Sequence, residues 1–322
     1  MDTVTLQHTS LAVSRLCFGA MTFGKPVDQT QATAMIDRSI DAGVNFFDTA
    51  NAYQSGLSEA MLGSALKGRR HNYVVATKVW ARMGDGPDDA GLSRRAILKA
   101  VEDSLRRLQT DCIDLYYLHQ PDYAVPIEES LEALHHLVQS GKVRYPATSN
   151  YAAWQVTQMQ SIAKERGYTP AAISQSMYNL IARGIEQEFL PMARHLGVSI
   201  IAYNPLAGGL LTGKHQPQSI TPGTRFDDNK MYQDRYWRPQ DFEAVSRLAQ
   251  IARDSGRSLI SLALCWLLHH TPVSSVILGA TRFDQLQQNL AAAAEGPLSP
   301  DTLAACNQVW QAFRGPVPAY NR

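Results

Sequence analysis

The chain has 322 residues, 45% hydrophobic and 18% charged, with a formal net charge of +1. That balance describes a soluble globular chain with a sizeable core, and it gives no electrostatic case for nucleic acid or an anionic membrane as partner. The opening MDTVTLQHTS lacks the basic and apolar regions of a signal peptide, and Cys17, Cys112, Cys265 and Cys306 form no CxxC pair, so reduced cysteines and a cytoplasmic address are expected.

In chain order, residues 3–13 alternate polar and apolar around His8–Ser10, which predicts a small hairpin. LCFGAM at 16–21 is the first buried strand candidate. Asp28 and Gln31 follow at capping-box spacing, and Ala32, Met35, Ile36 and Ile40 recur at helical intervals until Gly43. The pattern then repeats. Strand 44–48 leads to a helix at 58–66, and strand 73–79 (YVVATKV) to a helix begun at Ser93. Strand 114–119 (DLYYLH) leads to a helix at 127–139, and a weaker strand at 143–148 to another helix after SNYAAW. Strand 173–178 precedes a helix at 185–195. Strand 198–203 opens a long irregular segment, 204–239, followed by a helix at about 240–254. The apolar run 259–268 is too short and too interrupted by serine to span a bilayer and is expected as a buried helix. Strand 275–278 and a last short helix at 283–294 complete the reading.

Strand and helix alternate about eight times, which favours an α/β (β/α)₈ TIM barrel over an open doubly wound sheet. No GxGxxG follows the first strand, and no composition break marks a second domain, so residues 1–322 are expected to form one barrel domain. Segment 204–239 is too long for an idle connection and is expected to be a functional loop over the barrel mouth.

Barrel active sites collect at the C-terminal strand ends. There the sequence offers Asp48 with Tyr53, then Lys78, then His119, from three consecutive strands. Each has an ordinary alternative: Asp48 capping a turn, Tyr53 packing on the surface, Lys78 snorkelling from a strand end, His119 satisfied in the core. Their coincidence at matching strand ends favours chemistry. A free tyrosine titrates at about 10, and an adjacent ammonium favours its phenolate. A carboxylate would keep that lysine charged, and a histidine can orient a carbonyl oxygen. This equipment protonates an oxyanion as it forms on a carbonyl. No paired nucleophile and no metal-spaced histidine motif is present, so the electrons must come from a cofactor.

The stretches DTANAYQSGLSEAMLG, ATK, DLYYLHQPD, SNYAAW, QSMYN and AYNPLAGGLLTGK resemble the aldo-keto reductases, in the family's order and spacing. SNYAAW, NPLAGGLLTGK, RYW, QLQQNLAAAAEGPL and the terminal NR resemble the aflatoxin-aldehyde and succinic-semialdehyde reductase branch. The resemblance implies a (β/α)₈ barrel reducing aldehydes and dicarbonyls with NADPH. It makes Tyr53 the general acid, Lys78 the group that lowers its pKa, Asp48 the holder of Lys78, and His119 the residue that positions the carbonyl.

It further implies that Ser149, Asn150 and Gln175 bind the carboxamide and that Tyr203 stacks under the nicotinamide. Asn204, Pro205, Leu206, Gly208, Leu210 and Lys214 would serve the pyrophosphate, with Arg225 on the cofactor side. Gly279, Thr281, Arg282, Gln285 and Asn289 would hold the phosphate end, where strand meets helix N-terminus. Trp80, Tyr123 and Trp237 are candidate pocket walls, a core role being the alternative for each. Tyr232, Arg235 and the terminal Arg322 match residues lining the substrate pocket, and an arginine there favours aldehydes bearing an acid group. A homodimer is implied by the branch. The sequence departs from the family at 144–147 (RYPA), at Gln288 where an acid is common, and in the loop 80–92. Two alternatives stand beside the reductase: a weakly or non-catalytic NADPH-binding regulatory module of the same fold, and a metal-dependent barrel hydrolase.

Overall fold

Eight parallel strands close into a barrel in a computed structural model that describes residues 1–316. A two-stranded antiparallel hairpin comes first: β1 (Thr3–Thr5) and β2 (Ala12–Ser14), with Val4 opposite Val13. The barrel strands are β3 (Leu16–Gly19), β4 (Phe46–Asp48), β5 (Val74–Val79), β6 (Ile113–Leu118), β7 (Val143–Ser149), β8 (Ile173–Met177), β9 (Ser199–Tyr203) and β10 (Ser275–Leu278), in that order around the ring. The helices are α1 (Gln29–Asp41), α2 (Leu57–Ala65), α3 (Arg94–Leu108), α4 (Ile127–Gln139), α5 (Ala153–Arg166), α6 (Phe189–Leu196), α7 (Lys230–Tyr236), α8 (Pro239–Asp254), α9 (Leu259–His270), α10 (Phe283–Ala293) and α11 (Pro300–Arg314). No helix of the described residues is long and apolar enough to cross a membrane.

The described residues divide into two compact units: Met1–Ser176, Glu186–Ile201 and Val273–Gln287 in the first, and Met177–Ile185, Ala202–Pro272 and residues 288–316 in the second. The barrel core belongs to the first. Strand alternation turns every second side chain inward, so Cys17, Phe46, Val74, Ala76, Leu115, Tyr117, Ala147, Ile173 and Ile201 form one cluster. The hairpin caps it, since Leu6, Leu11 and Val13 join the same cluster. Helix starts follow the side chains available. Asp28 accepts from the Gln31 amide at 2.9 Å ahead of α1, and Ser93 from the Ala96 amide at 3.2 Å ahead of α3.

In the second unit, α9 is buried at every position from Leu259 to Leu268. Trp266 on α9 meets Tyr178 edge-on at 5.1 Å, and the Arg183 guanidinium lies over it at 4.8 Å. The structure departs from the sequence reading in three places. Segment 204–239 contains a 3₁₀ turn, Ala207–Thr212, and the helix α7. Helix α6 starts at Phe189, after a separate 3₁₀ turn at Gly184–Glu186. Helix α11 was not foreseen, although Ser299 accepting from the Thr302 amide and Pro300 in the first turn are ordinary start signals.

Candidate active site

The inward alternation that builds the core also selects the residues at its C-terminal rim. Lys78 pairs with Tyr117 in the ladder and Ser149 with Gln175, so each element delivers one polar side chain above the apolar layers. Lys78 is 0% exposed. Its Nζ donates to Asp48 Oδ1 at 2.5 Å and to the Thr49 carbonyl at 2.7 Å. It also hydrogen-bonds the Tyr53 hydroxyl and lies 5.0 Å from that ring's centre. The second Asp48 oxygen accepts from Gln175 Nε2 at 2.8 Å. The His119 ring stands edge-on to Tyr53, with centroids 5.9 Å apart. Asp48, Tyr53, Lys78 and His119 therefore meet in one place.

Burial sets the charge states here. Desolvation pulls the Lys78 ammonium down, but Asp48 and Tyr53 together outweigh it, and the ammonium is held above its ordinary range. Burial lifts the Asp48 carboxyl, with Lys78 and Gln175 pulling it back. His119 is pushed down to about 3, first by burial and then by the Lys78 charge, so its imidazole is neutral at physiological pH. A neutral imidazole can donate one hydrogen bond without bringing a second positive charge beside Lys78.

Tyr53 opens a 3₁₀ turn, Tyr53–Gly56, that ends in left-handed backbone. The loop before it is tied to the barrel: the Thr49 amide donates to the Ala76 carbonyl at 2.9 Å and the Asn51 amide to the Lys78 carbonyl at 3.2 Å. The Ser58 hydroxyl reaches Thr49 at 2.8 Å and the Ala20 carbonyl at 2.7 Å.

The first unit also holds the expected carboxamide residues. Asn150 has φ 63° and donates from Nδ2 to the His119 carbonyl at 2.9 Å and to Ser149 Oγ at 3.1 Å. Strand β7 runs unbroken through the RYPA departure, so Ser149 keeps its rim position. Gln175 spends its amide on Asp48, a partnership the sequence reading did not find because it had assigned that side chain to the cofactor. After β10, the Thr281 amide and hydroxyl both donate to Gln285 Oε1, at 3.1 and 2.9 Å. Arg282 forks onto Asp284 with two 3.0 Å bonds, the two side chains being 63% and 69% exposed.

In the second unit, Asn204 (φ 63°) shapes the turn that follows Tyr203: its Oδ1 accepts from the Gly208 amide at 2.7 Å and its Nδ2 donates to the Tyr236 hydroxyl at 2.9 Å. Gly208 has φ 70°, and a Cβ there would lie 2.8 Å from the Tyr232 ring. Pro205, Leu206 and Leu210 belong to the same turn, with Leu210 buried, and Lys214 is exposed. Arg225 and Arg235 lie over the Tyr232 ring at 5.3 and 5.5 Å, so the residues expected on the cofactor and substrate sides form one stack. Trp237 is half-buried and packs with Phe226 at 4.7 Å and Phe242 at 4.9 Å. Tyr123, in the first unit, stands 85% exposed. Trp80 is half-buried and Asn289 is buried. Arg322 lies outside the described residues. Among the described residues no three or more His, Cys, Asp or Glu side chains gather as a metal site.

The sequence profile described as "Aldo/keto reductase family" matches residues 15–311. The chain belongs to the aldo/keto reductase family. It is 37% identical to human "Aldo-keto reductase family 7 member A3" over 94% of this chain and 96% of that protein. It is 37% identical to "Aflatoxin B1 aldehyde reductase member 2" of Rattus norvegicus, over 94% and 86%. The "Probable voltage-gated potassium channel subunit beta" of Oryza sativa subsp. japonica is also 37% identical, over 91% of each chain. Within this aldo/keto reductase, the buried ion pair, the phenol and the neutral imidazole coincide with the residues expected to do the chemistry.

Proposed function

We propose that this aldo/keto reductase is an NADPH-dependent reductase of aldehydes and reactive dicarbonyls, with Tyr53 as general acid. The observation that carries the reading is the fully buried Lys78 ammonium, paired with Asp48 and hydrogen-bonded to the Tyr53 hydroxyl. A buried charge is costly, and one whose partners include an ionisable phenol is suited to moving a proton. Family membership supports an oxidoreductase that acts on small carbonyl compounds with a nicotinamide dinucleotide.

Within the first unit the donor set fits such a cofactor: a polar rim of Ser149, Asn150 and Gln175, and Arg282 beside the start of α10. When bound, the nicotinamide would supply the reducing equivalent. The chain's own residues do the rest. The neutral His119 hydrogen-bonds the carbonyl oxygen and orients it. Tyr53 gives its proton to that oxygen as charge develops there. Lys78 favours the phenolate left behind, and Asp48, steadied by Gln175, keeps Lys78 in place. For the second unit the assignment rests on the resemblance: Tyr203 and the turn from Asn204 to Lys214 with Arg225 for the cofactor, and Tyr232 and Arg235 for an acid-bearing aldehyde.

The relatives named as channel subunits favour a second reading, a cofactor-binding module with little turnover. NADPH consumption across small aldehydes, dicarbonyls and carboxylate-bearing aldehydes separates the two. Turnover that disappears in Tyr53→Phe supports the reductase; NADPH binding without turnover supports the module.

A further inference from the structure

The backbone immediately after Tyr53 is held in an unusual shape. Gln54 (φ 49°, ψ 43°), Ser55 (φ 53°, ψ 39°) and Gly56 (φ 91°) are all left-handed. Two of them carry side chains, and such a run persists only where its surroundings over-determine it. On one side lies Gly24, where a Cβ would sit 2.7 Å from Leu57 Cδ2 and 3.2 Å from the Gln54 Cβ. On the other lies Arg107 of α3. A Cβ on Gly56 would be 2.7 Å from Arg107 Cδ and 2.9 Å from its Nε, so this side chain lies directly against the turn.

Arg107 is itself fixed. Its Nε donates to Glu59 Oε2 at 2.6 Å, and Glu59 is completely buried. The other carboxylate oxygen accepts from the Thr77 hydroxyl at 2.5 Å. Thr77 precedes Lys78, and strand alternation sends the two side chains to opposite faces of β5. A closed path therefore runs from Lys78 through Thr77, Glu59, Arg107 and Gly56 to Tyr53, and it spaces the phenol from the ammonium.

We propose that Arg107 is a positioning residue for Tyr53: anchored through Glu59 to the residue beside Lys78, it holds the left-handed turn that sets the phenol against the ammonium. The inference rests on Tyr53 being the general acid. A residue serving only the packing of α2 on α3 would change the amount of folded protein when replaced. A positioning residue changes the acidity of the phenol as well, because a phenol moved away from an ammonium is a weaker acid.

The test compares Arg107→Met, Arg107→Lys, Thr77→Val and Tyr53→Phe in the full chain. It measures kcat for aldehyde reduction against pH at saturating NADPH, NADPH affinity by fluorescence quenching, and folding by circular dichroism. Arg107→Met should bind NADPH as the parent does, lose on the order of ten-fold or more in kcat, and shift the alkaline fall of kcat to higher pH. Arg107→Lys should recover part of both changes, and Thr77→Val should show a smaller shift in the same direction. Folded Arg107→Met with an unmoved alkaline limb and parental kcat overturns the inference. If Arg107→Met does not fold, Thr77→Val decides: a moved limb upholds the inference and an unmoved one overturns it. Tyr53→Phe separates the failures. If it keeps turnover, the general-acid reading falls and the inference with it; if it loses turnover while the Arg107 variants behave as the parent, the inference alone falls.

Discussion

Strands β5 and β6 have a buried carboxylate bound by cations at each end, and the two ends are built differently. At the N-terminal end, Asp114 accepts from Arg70 at 2.7 Å, from Arg144 at 2.8 Å and from the Val75 amide at 2.9 Å. Arg70 is in turn spent on the carbonyls of Tyr73 and Cys112, at 2.7 and 3.0 Å. Every partner there is a fixed cation or a backbone group. At the C-terminal end, Lys78 shares its protons between Asp48, a carbonyl and the Tyr53 phenol. One partner in that set can itself lose a proton, and left-handed backbone follows it directly at Gln54–Gly56. The lesson is that burial of charge alone does not mark a site. The mark is a buried charge whose partners include a group able to titrate, at the barrel face where loops gather.

Replacing Lys78 should produce the largest effect, because it is both structural and chemical. Lys78→Met leaves Asp48 buried without its cation, which costs about 3–5 kcal/mol, and it removes the group that favours the Tyr53 phenolate. Urea unfolding should show the loss of stability, and steady-state assays should show turnover gone. A variant as stable and active as the parent would break the comparison at its centre.

Tyr53→Phe acts on chemistry only. The ring remains and the proton is lost, so kcat should fall by at least about 100-fold while NADPH affinity and the unfolding midpoint stay near parental values. Asp114→Asn is the mirror case. It leaves the partly buried Arg70 and the exposed Arg144 facing a neutral amide at the other end of β6, and stability should drop by about 1–3 kcal/mol. The protein that remains folded should turn over as the parent does. A large fall in its kcat would mean that the two ends are coupled.

How much of this was legible follows from what each signal depends on. The alternation of strand and helix, the caps at Asp28 and Ser93, and the four rim residues could be read because their meaning is local or follows from strand position. The arginine at 144 was visible as a departure from the family pattern, but its reason was not. It closes the Asp114 network, and the neighbouring Tyr145 hydroxyl accepts from the Ser10 amide at 3.0 Å. Those partners lie 30 and 135 residues away, and no periodicity reports them. Glu59 drew no reading, since sequence does not distinguish an acid facing solvent from one facing Thr77 and Arg107. The hydrogen bond from the Gln175 amide to Asp48 spans 127 residues and left no trace in the sequence. Helix α11 had clear start signals, and it was missed because the barrel count was already complete.

The Arg282–Asp284 pair extends the comparison to the surface. Water and salt screen an exposed pair, so Arg282 can exchange Asp284 for a stronger anion at little cost. A 2′-phosphate is such an anion, and a guanidinium can fork onto it. Arg282→Ala should therefore weaken NADPH binding on the order of ten-fold and leave NADH nearly unchanged, with the unfolding midpoint unmoved. Equal weakening of both cofactors would remove the 2′-phosphate role.

The smallest expected effect is a pH slope, and it tests the charge assignment at the rim directly. His119 is held down to about 3 by burial and by Lys78, against about 6.5 in an unfolded chain. The folded pKa is the lower one, so on acidification the unfolded chain takes up the proton first. The stability tied to the neutral imidazole is fully present above about pH 6.5 and is lost progressively as pH falls toward about 3. His215 in the second unit is lowered to about 4, by burial and then by Lys214, and contributes with the same sign. It is 6% exposed, with its ring edge-on to Phe226 at 5.0 Å and Trp237 at 5.6 Å. Urea unfolding free energies at several pH values between 7 and 5 should therefore decline in the parent. His119→Asn and His215→Phe should each flatten that decline by up to one proton's worth, and only His119→Asn should also lower turnover. A slope unchanged in His119→Asn would mean that the imidazole takes up its proton as readily in the folded chain as in the unfolded one, and the rim would then carry a second cation below about pH 6.5, which the carbonyl-orienting role does not accommodate.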